Sequence, residues 1–209
     1  CAKFNEPGPH VTARDADHLE SKLSGWLGRA TLVVLSGGGP PGTPPDLYAR
    51  LVRRVRAAGV RVMLDASGEL LRQGVASAPY LVKPNAEELS DLMGAPVRGV
   101  ADAATGARAL LQSGVAVAVV SLGPEGAVVA HGTDLLHAEP PPVEVISTVG
   151  SGDCMAAGFA VALSRGLPIE MVARWGVAAG TANAAVLGPG LCTRAEIEGL
   201  VEKVKVTSL

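Results

Sequence analysis

Short, continuous apolar runs alternate with segments of helical periodicity along most of the chain, and this alternation restricts the fold more than any other feature. The runs ATLVVLS (residues 30–36), VRVMLD (60–65) and VAVAVVS (115–121) are typical of strands buried on both faces. Between the first two, apolar side chains recur at helical spacing over residues 46–58, and Gly59 ends the pattern. Strands that alternate with helices predict an α/β protein, a three-layer α/β/α sandwich around a mostly parallel sheet.

The rest of the chain continues this pattern. Further strands are predicted at residues 80–83, in a hairpin formed by GAVVAH and DLLHAE around Gly132, and at residues 143–147. Further helices are predicted at residues 69–76, 86–93, 101–112, 152–165, 168–187 and 194–204. No internal repeat and no clear linker interrupts the sequence, so residues 1–209 are expected to form a single domain.

Charge and cysteine content exclude several classes of protein. The chain has 18 basic and 20 acidic residues, evenly mixed, so we expect neither a nucleic-acid partner nor membrane association. No uncharged apolar run approaches about 18 residues, and no signal peptide is visible at the start. Three widely spaced cysteines (Cys1, Cys154, Cys192) form no CxxC pair, which suits reduced thiols in a cytoplasmic protein.

The stretch LSGGGPPG introduces an alternative function, because Gly37, Gly39 and Gly42 satisfy the GxGxxG pattern of dinucleotide-binding turns. Asp65 ends the next strand, where an NAD-dependent dehydrogenase would bind the ribose. In such enzymes the turn leads straight into a helix whose N–H groups meet the pyrophosphate. Here four prolines intervene, and the helix can hardly begin before Pro45. This weakens the dehydrogenase alternative without removing it.

A second glycine-rich turn precedes a helix in STVGSGDCMAAGFAVAL (residues 147–163). A helix start leaves about four backbone N–H groups unpaired at the positive end of the helix dipole. Gly150 and Gly152 would let this backbone approach an anion closely. Asp153, at the edge of such a site, could accept a proton from a hydroxyl nucleophile. Asp153 or Ser151 could instead simply cap the helix, and the segment alone leaves both interpretations open.

Five motifs, in order along the chain, resemble one family. VGSGD followed by a helix of small residues resembles the second signature of the ribokinase-like (PfkB) sugar kinases. VKPNAEEL (residues 82–89) resembles the family's Lys-Pro-Asn-x-x-Glu-Leu segment, and VVSLGPEGAVV (119–129) resembles its Ser-Leu-Gly-x-x-Gly hairpin. LDASGE (64–69) and KFNEPGP (3–9) resemble stretches of the 1-phosphofructokinase and tagatose-6-phosphate kinase branch. The resemblance implies the ribokinase-like fold for this chain.

The resemblance also implies a reaction, in which a kinase uses ATP and Mg²⁺ to phosphorylate a hydroxyl of a ketohexose phosphate. Asp153 matches the family's catalytic base, which deprotonates the acceptor hydroxyl. Gly150, Ser151 and Gly152 match the anion hole around the transferred γ-phosphoryl group. In this family context, a base is favoured over a helix cap at Asp153.

The metal and nucleotide sites follow from the same resemblance. Asn85 and Glu88 match the Asn-x-x-Glu pair that organises Mg²⁺, largely through water, and their i,i+3 spacing places them near one helix face. The nucleotide side is implied at Lys83, Asn85, Ser121, Gly123, Gly126 and Asn183. From the residues alone, a snorkelling lysine, an ordinary hairpin turn and a helix-packing surface remain alternatives for these positions.

The sugar-phosphate side of the site is implied at Lys3, Ser36, Gly37 and Gly38, where Gly38 departs from the family's usual serine. The family's opening strands, lid sheet and Gly-Gly-x-Asn signature are not found in this numbering. The resemblance therefore covers the C-terminal two-thirds of a family member, and a non-catalytic nucleotide-binding fragment is a further alternative. Relatives that dimerise through the lid sheet suggest a homodimer.

Overall fold

A computed structural model describes residues 8–209 of the chain. Within this part, a seven-stranded sheet has its strands in the order of the sequence. The strands are β1 (Leu32–Ser36), β2 (Arg61–Asp65), β3 (Leu81–Val82), β4 (Val117–Ser121), β5 (Ala127–His131), β6 (Asp134–Glu139) and β7 (Lys205–Ser208). The α-helices are α1 (Ala13–Trp26), α2 (Leu47–Ala57), α3 (Gly68–Ala76), α4 (Ala86–Met93), α5 (Val100–Gln112), α6 (Ser151–Ser164), α7 (Ile169–Ala184) and α8 (Arg194–Val201).

The sheet is mixed in direction. Strands β1 to β4 pair in parallel, whereas β4 to β7 pair antiparallel and include the hairpin predicted around Gly132. Helices cover both faces, which confirms the three-layer α/β/α sandwich, although the sheet is parallel only over its first four strands. Among residues 8–209, no helix is both long enough and apolar enough to cross a bilayer.

Alternate residues of the central strands enter two separate cores. In β2, Val62 and Leu64 pack in the core that contains α2, α3 and α5, whereas Met63 packs in the core that contains α6 and α7. All three side chains are fully buried. A strand covered on both faces needs apolar residues at every position, which explains why these runs are continuous rather than alternating.

Helices α6 and α7 approach each other closely because glycines line the contact between them. A Cβ atom on Gly158 would lie 2.5 Å from the carbonyl oxygen of Trp175, and one on Gly176 would overlap the ring of Phe159. Neither position has room for a larger residue unless the helices separate. This close contact fixes the position of α6 relative to α7.

Three sequence predictions differ from the structure. The strand predicted at residues 143–147 is wrong, because the N–H groups of Ile146 and Ser147 donate to the Ala184 carbonyl at the end of α7 and no strand pairs with the segment in the described part of the chain. The last helix ends at Val201, and the chain then forms β7 against β6. Helix α1 is absent from the predictions, although Thr12 and Asp15 form a capping box at its start.

Candidate active site

A cavity opens at the carboxyl ends of the parallel strands, where open α/β sheets bind their ligands. Ser36 ends β1, Asp65 ends β2 and Lys83 follows β3. Gly37 has a φ of 102°, and its N–H donates to the Asp65 carbonyl at 2.9 Å. The cavity has a volume of about 190 Å³ and is lined by Ser36, Gly37, Gly38, Asp65, Ala66, Ser67, Glu88 and Asp153.

Asp153 lies in the first turn of α6, and its exposed side chain lines this cavity. The residue before the helix is Gly150, with a φ of 83°, and no side chain in the described chain caps the helix N–H groups. The capping alternative for Asp153 and Ser151 is therefore wrong. The Asp153 carboxylate is free to face the cavity. The Ser151 and Cys154 N–H groups donate to the Thr148 and Gly150 carbonyls, whereas the Gly152 and Asp153 N–H groups have no acceptor in the described chain and are open to an anion.

The turn before α6 packs against a loop at residues 188–190. Gly150 has a left-handed backbone, and a Cβ atom there would lie 2.6 Å from Cβ and 2.9 Å from Cα of Pro189. Only glycine satisfies both the dihedral angle and this contact. The predicted anion-binding turn is thus held in one conformation by the neighbouring loop.

Asn183, at the end of α7, ties the turn and the loop together. Its Nδ2 donates to the Val149 carbonyl at 2.9 Å and to Ser151 Oγ at 3.2 Å. Its Oδ1 accepts from the Gly190 N–H at 2.8 Å and from the Cys154 thiol at 3.3 Å. The side chain is fully buried and its polar atoms are occupied within the protein. Asn183 therefore links segments of the protein, and its predicted place on the nucleotide side stays a prediction.

Lys83 is buried beside the cavity, which excludes the snorkelling alternative for this lysine. Its Nζ lies 2.9 Å from Asp65 Oδ1 and about 4.0 Å from where a Cβ atom on Gly152 would stand. Burial raises the pKa of Asp65, the Lys83 ammonium opposes that rise, and the Asp153 charge adds to it. From the sequence, Asp65 is part of the LDASGE motif and is a candidate ribose ligand for NAD, but its pairing with Lys83 is not predicted.

Asn85 and Glu88 form a reciprocal capping box at the start of α4. Asn85 Oδ1 accepts from the Glu88 N–H at 2.8 Å, and Glu88 Oε2 accepts from the Asn85 N–H at 2.8 Å. Burial is the main cause of a raised pKa at Glu88. The Asn-x-x-Glu spacing is thus also a helix-start signal. Glu88 also lines the cavity, and its Oε1 takes no part in the capping box.

Ser121, Gly123 and Gly126 lie where β4 turns into β5. Ser121 pairs with Asn85 in an isolated bridge, so this turn is adjacent to the start of α4. Gly126 has a φ of 81°, and a Cβ atom there would overlap the Ala138 carbonyl oxygen, whereas Gly123 faces open space. Neither glycine lines the 190 Å³ cavity. Lys3 lies outside the described residues.

A second cavity, of about 260 Å³, lies between the end of α7 and α8. It is lined by Val143, Ala182, Ala185, Val186, Glu196, Gly199, Leu200 and Lys203. Its walls are mostly small or apolar, with two charged residues. The structure therefore has a polar, carboxylate-lined cavity and a separate, more apolar cavity, which share no lining residue.

The chain belongs to the pfkB family of carbohydrate kinases, whose sequence model matches residues 3–196. It is 32% identical to the 1-phosphofructokinase of Vibrio cholerae over 206 residues, which is 99% of this chain and 65% of that relative. It is 31% identical to the 1-phosphofructokinase of Bacillus subtilis over 207 residues, covering 99% of this chain and 67% of the relative. The chain thus spans about two-thirds of the length of these relatives.

Solved structures support the same fold. Phosphofructokinase-2 from Escherichia coli, crystallised with potassium, superimposes with a TM-score of 0.89 at 32% identity, covering 96% of this chain and 65% of that one. The same Escherichia coli enzyme, crystallised in complex with substrates and products, gives a TM-score of 0.87 at 32% identity, covering 96% of this chain and 65% of that one. The resemblance drawn from the five motifs is confirmed.

Proposed function

We propose that this chain carries the nucleotide site and the catalytic base of a kinase that transfers the γ-phosphoryl group of ATP to a hydroxyl of a ketohexose phosphate. The observation that carries this proposal is the position of Asp153. Its carboxylate caps no N–H group of α6 and lines the cavity beside the open N-terminus of that helix. Family membership supports the reaction class, and the relatives' name favours fructose 1-phosphate over tagatose 6-phosphate as the acceptor.

In this mechanism, Asp153 accepts the proton of the acceptor hydroxyl while the oxygen of that hydroxyl forms a bond to the γ-phosphorus. The bond from that phosphorus to the oxygen bridging it to the β-phosphorus breaks, and ADP leaves with the electron pair. The N–H groups of Gly152 and Asp153 in the first turn of α6 stabilise the charge on the transferred group. The Lys83 ammonium, about 4.0 Å from where a Cβ atom on Gly152 would stand, adds a positive charge near these N–H groups.

Sugar and adenine would occupy different cavities. The acceptor suits the polar cavity, where Ser67 Oγ lies 3.0 Å from where a Cβ atom on Gly38 would stand. Ser67 thus supplies a hydroxyl at the wall where Gly38 lacks one. The adenine base suits the second cavity, because Ala182, Val186 and Leu200 offer apolar surface for a flat ring.

The residues present also fit Mg²⁺. Asn85 and Glu88 each keep acceptor capacity beyond the capping box, and no cluster of three or more candidate ligands occurs among residues 8–209. Mg²⁺ retains several waters and takes few protein ligands, so such a sparse site is suitable. When bound, Mg²⁺ would neutralise charge on the ATP phosphates, and Glu88 would hold its water shell.

Sugar-dependent release of ADP tests the proposed function. The chain is incubated with ATP and Mg²⁺, and ADP is measured with fructose 1-phosphate, tagatose 6-phosphate or no sugar. ADP release that depends on one sugar phosphate supports the kinase. ATP binding in calorimetry without sugar-dependent release supports the non-catalytic nucleotide-binding alternative. Binding of NADH but not ATP would support the dehydrogenase alternative.

Replacing Glu88 by Gln should weaken the response to Mg²⁺. The amide carbonyl of the introduced glutamine can still accept from the Asn85 N–H, so the helix cap survives while the charge that would hold the metal's water shell is lost. We expect the Mg²⁺ concentration for half-maximal ATP binding to rise about tenfold, because a lost outer-shell partner typically costs ~10–100-fold. The exposed neighbour provides the control: a comparable effect of Glu87→Gln would contradict the assignment.

Replacing Asn183 by Ala should loosen both the anion-binding turn and the loop at 188–190. The change removes the hydrogen bonds of both amide atoms and leaves the Gly190 N–H without its acceptor, so we expect a loss of about 2–4 kcal/mol in the free energy of unfolding. Urea denaturation measures this loss. Thr181→Ala is the control, because Thr181 is buried on the same helix but bonds only within it. Equal losses in both variants would refute the role of Asn183 as a link between segments.

A further inference from the structure

Lys83 is the only charged residue less than one-tenth exposed within residues 8–209. A buried ion pair costs about as much in desolvation as it gains in attraction, so stability alone does not explain its presence. Lys83 directly follows β3, whose two residues are fully buried, and its own side chain is only 5% exposed. Its only close ionic partner in the described chain is Asp65, at 2.9 Å.

Several carboxylates lie near the Lys83 ammonium. Asp65 contacts it directly, and Glu88 and Asp153 line the cavity beside Asp65. The ammonium also lies near the first turn of α6, about 4.0 Å from where a Cβ atom on Gly152 would stand. Asp65 therefore holds a cation next to both the carboxylate-lined cavity and the proposed anion site.

We propose that Asp65 is a positioning residue, which holds the Lys83 ammonium near the anion-binding turn. The ammonium then stays close to the phosphoryl group while that group moves from ATP to the acceptor. This inference rests on the proposed function and assigns to it a residue outside the Asp153 turn. The Asp65 carboxylate fixes the direction of the ammonium and, by its own negative charge, also weakens anion binding in the resting site. Both effects favour catalysis over tight ground-state binding.

This role predicts opposite changes in binding and turnover. In Asp65→Asn a negative charge is lost, so an ATP analogue that cannot be hydrolysed should bind about threefold tighter, whereas sugar-dependent turnover should fall at least about tenfold because the ammonium is no longer aligned. A residue needed only for folding would lower both. The control is Asp134→Asn, at the exposed start of β6. Weaker binding together with weaker turnover, or no change in either, would overturn the proposal.

A labelling experiment reports on the pair without requiring kinase activity. The chain is treated briefly with an acylating reagent, and the extent of modification at Lys83 is read by mass spectrometry. Loss of Asp65 should increase the rate at Lys83 at least about threefold, because a lysine freed from its carboxylate is more mobile and more reactive. If the native chain binds no nucleotide, the proposed function fails while this result still shows whether Asp65 holds Lys83. A rate in Asp65→Asn equal to that in Asp134→Asn refutes the pairing.

The complementary variant keeps the proposal testable if Asp65→Asn does not fold. Lys83→Met leaves the Asp65 charge without its partner, so binding of the ATP analogue should weaken about tenfold. Adding Asp65→Asn to Lys83→Met should restore affinity by more than the roughly threefold gain of Asp65→Asn alone, because the Asp65 charge repels the analogue most strongly when Lys83 no longer neutralises it. A restoration no larger than the gain of Asp65→Asn alone would show that the two residues act independently and would overturn the proposal.

Discussion

Turnover in Asp153→Asn is expected to fall by about 10²–10⁴-fold with little change in ATP affinity, because asparagine keeps the shape of the side chain but cannot accept the hydroxyl proton. The side chain is exposed and caps no N–H group of α6, so its removal should leave the fold intact. Initial rates of ADP release with saturating sugar phosphate measure the loss, and calorimetry with an ATP analogue measures affinity.

Two controls separate a base from a helix cap at this position. Asp17→Asn, on the exposed surface of α1, should leave turnover unchanged. Asp153→Ala should leave the free energy of unfolding unchanged, whereas a cap would lose about 0.5–2 kcal/mol. Turnover of Asp153→Asn within roughly tenfold of the native chain would exclude the general-base role.

The largest expected loss of stability comes from Gly126→Ala, at about 2–5 kcal/mol. Alanine is strained at a φ of 81°, and its methyl group would overlap the Ala138 carbonyl oxygen, which belongs to the backbone and cannot swing away. The hairpin of β5 and β6 would have to shift. Chemical denaturation followed by circular dichroism gives the free energy of unfolding.

Gly123→Ala is the matched control for this substitution. Gly123 lies in the same turn with a φ of 58°, but a Cβ atom there meets nothing within 4 Å. Only the cost of the left-handed backbone remains, about 1–2 kcal/mol. If the two variants lose the same stability, the clash with Ala138 is not the cause of the loss in Gly126→Ala. Nucleotide binding would then be the remaining reason for a glycine at position 126.

The central strands and most helices of this fold can be predicted from the sequence, whereas the edge strand β7 and the segment at residues 143–147 cannot. Central strands such as β2 and β4 are recognisable because burial on both faces requires unbroken apolar runs, and α4 has both a capping box and a terminal glycine. Strand β7 is half-exposed and short, and only its pairing with β6 identifies it. Residues 143–147 have strand-like composition, yet their backbone groups bond to the end of α7, which no local pattern reveals.

For the candidate site, motifs located the residues but not the direction of their side chains. Glu88 and Asp153 belong to separate sequence motifs, and the structure brings both to one cavity. The inward orientation of Asn183 depends on how α7 packs against α6, so it could not be read from the sequence. The pairing of Asp65 with Lys83 depends on the parallel register of β2 and β3.

The order of strands in the sheet has a consequence for how the chain folds during synthesis. Within residues 8–209, each strand is hydrogen-bonded only to strands that precede or follow it directly in the sequence. Closing short loops costs less conformational entropy than closing long ones, so pairing between successive strands is favoured. Strands β1 to β6 can therefore join the growing sheet as they leave the ribosome, whereas β7 pairs with β6 only after α6, α7 and α8 have been made. We expect the described part of the chain to assemble from β1 towards β7.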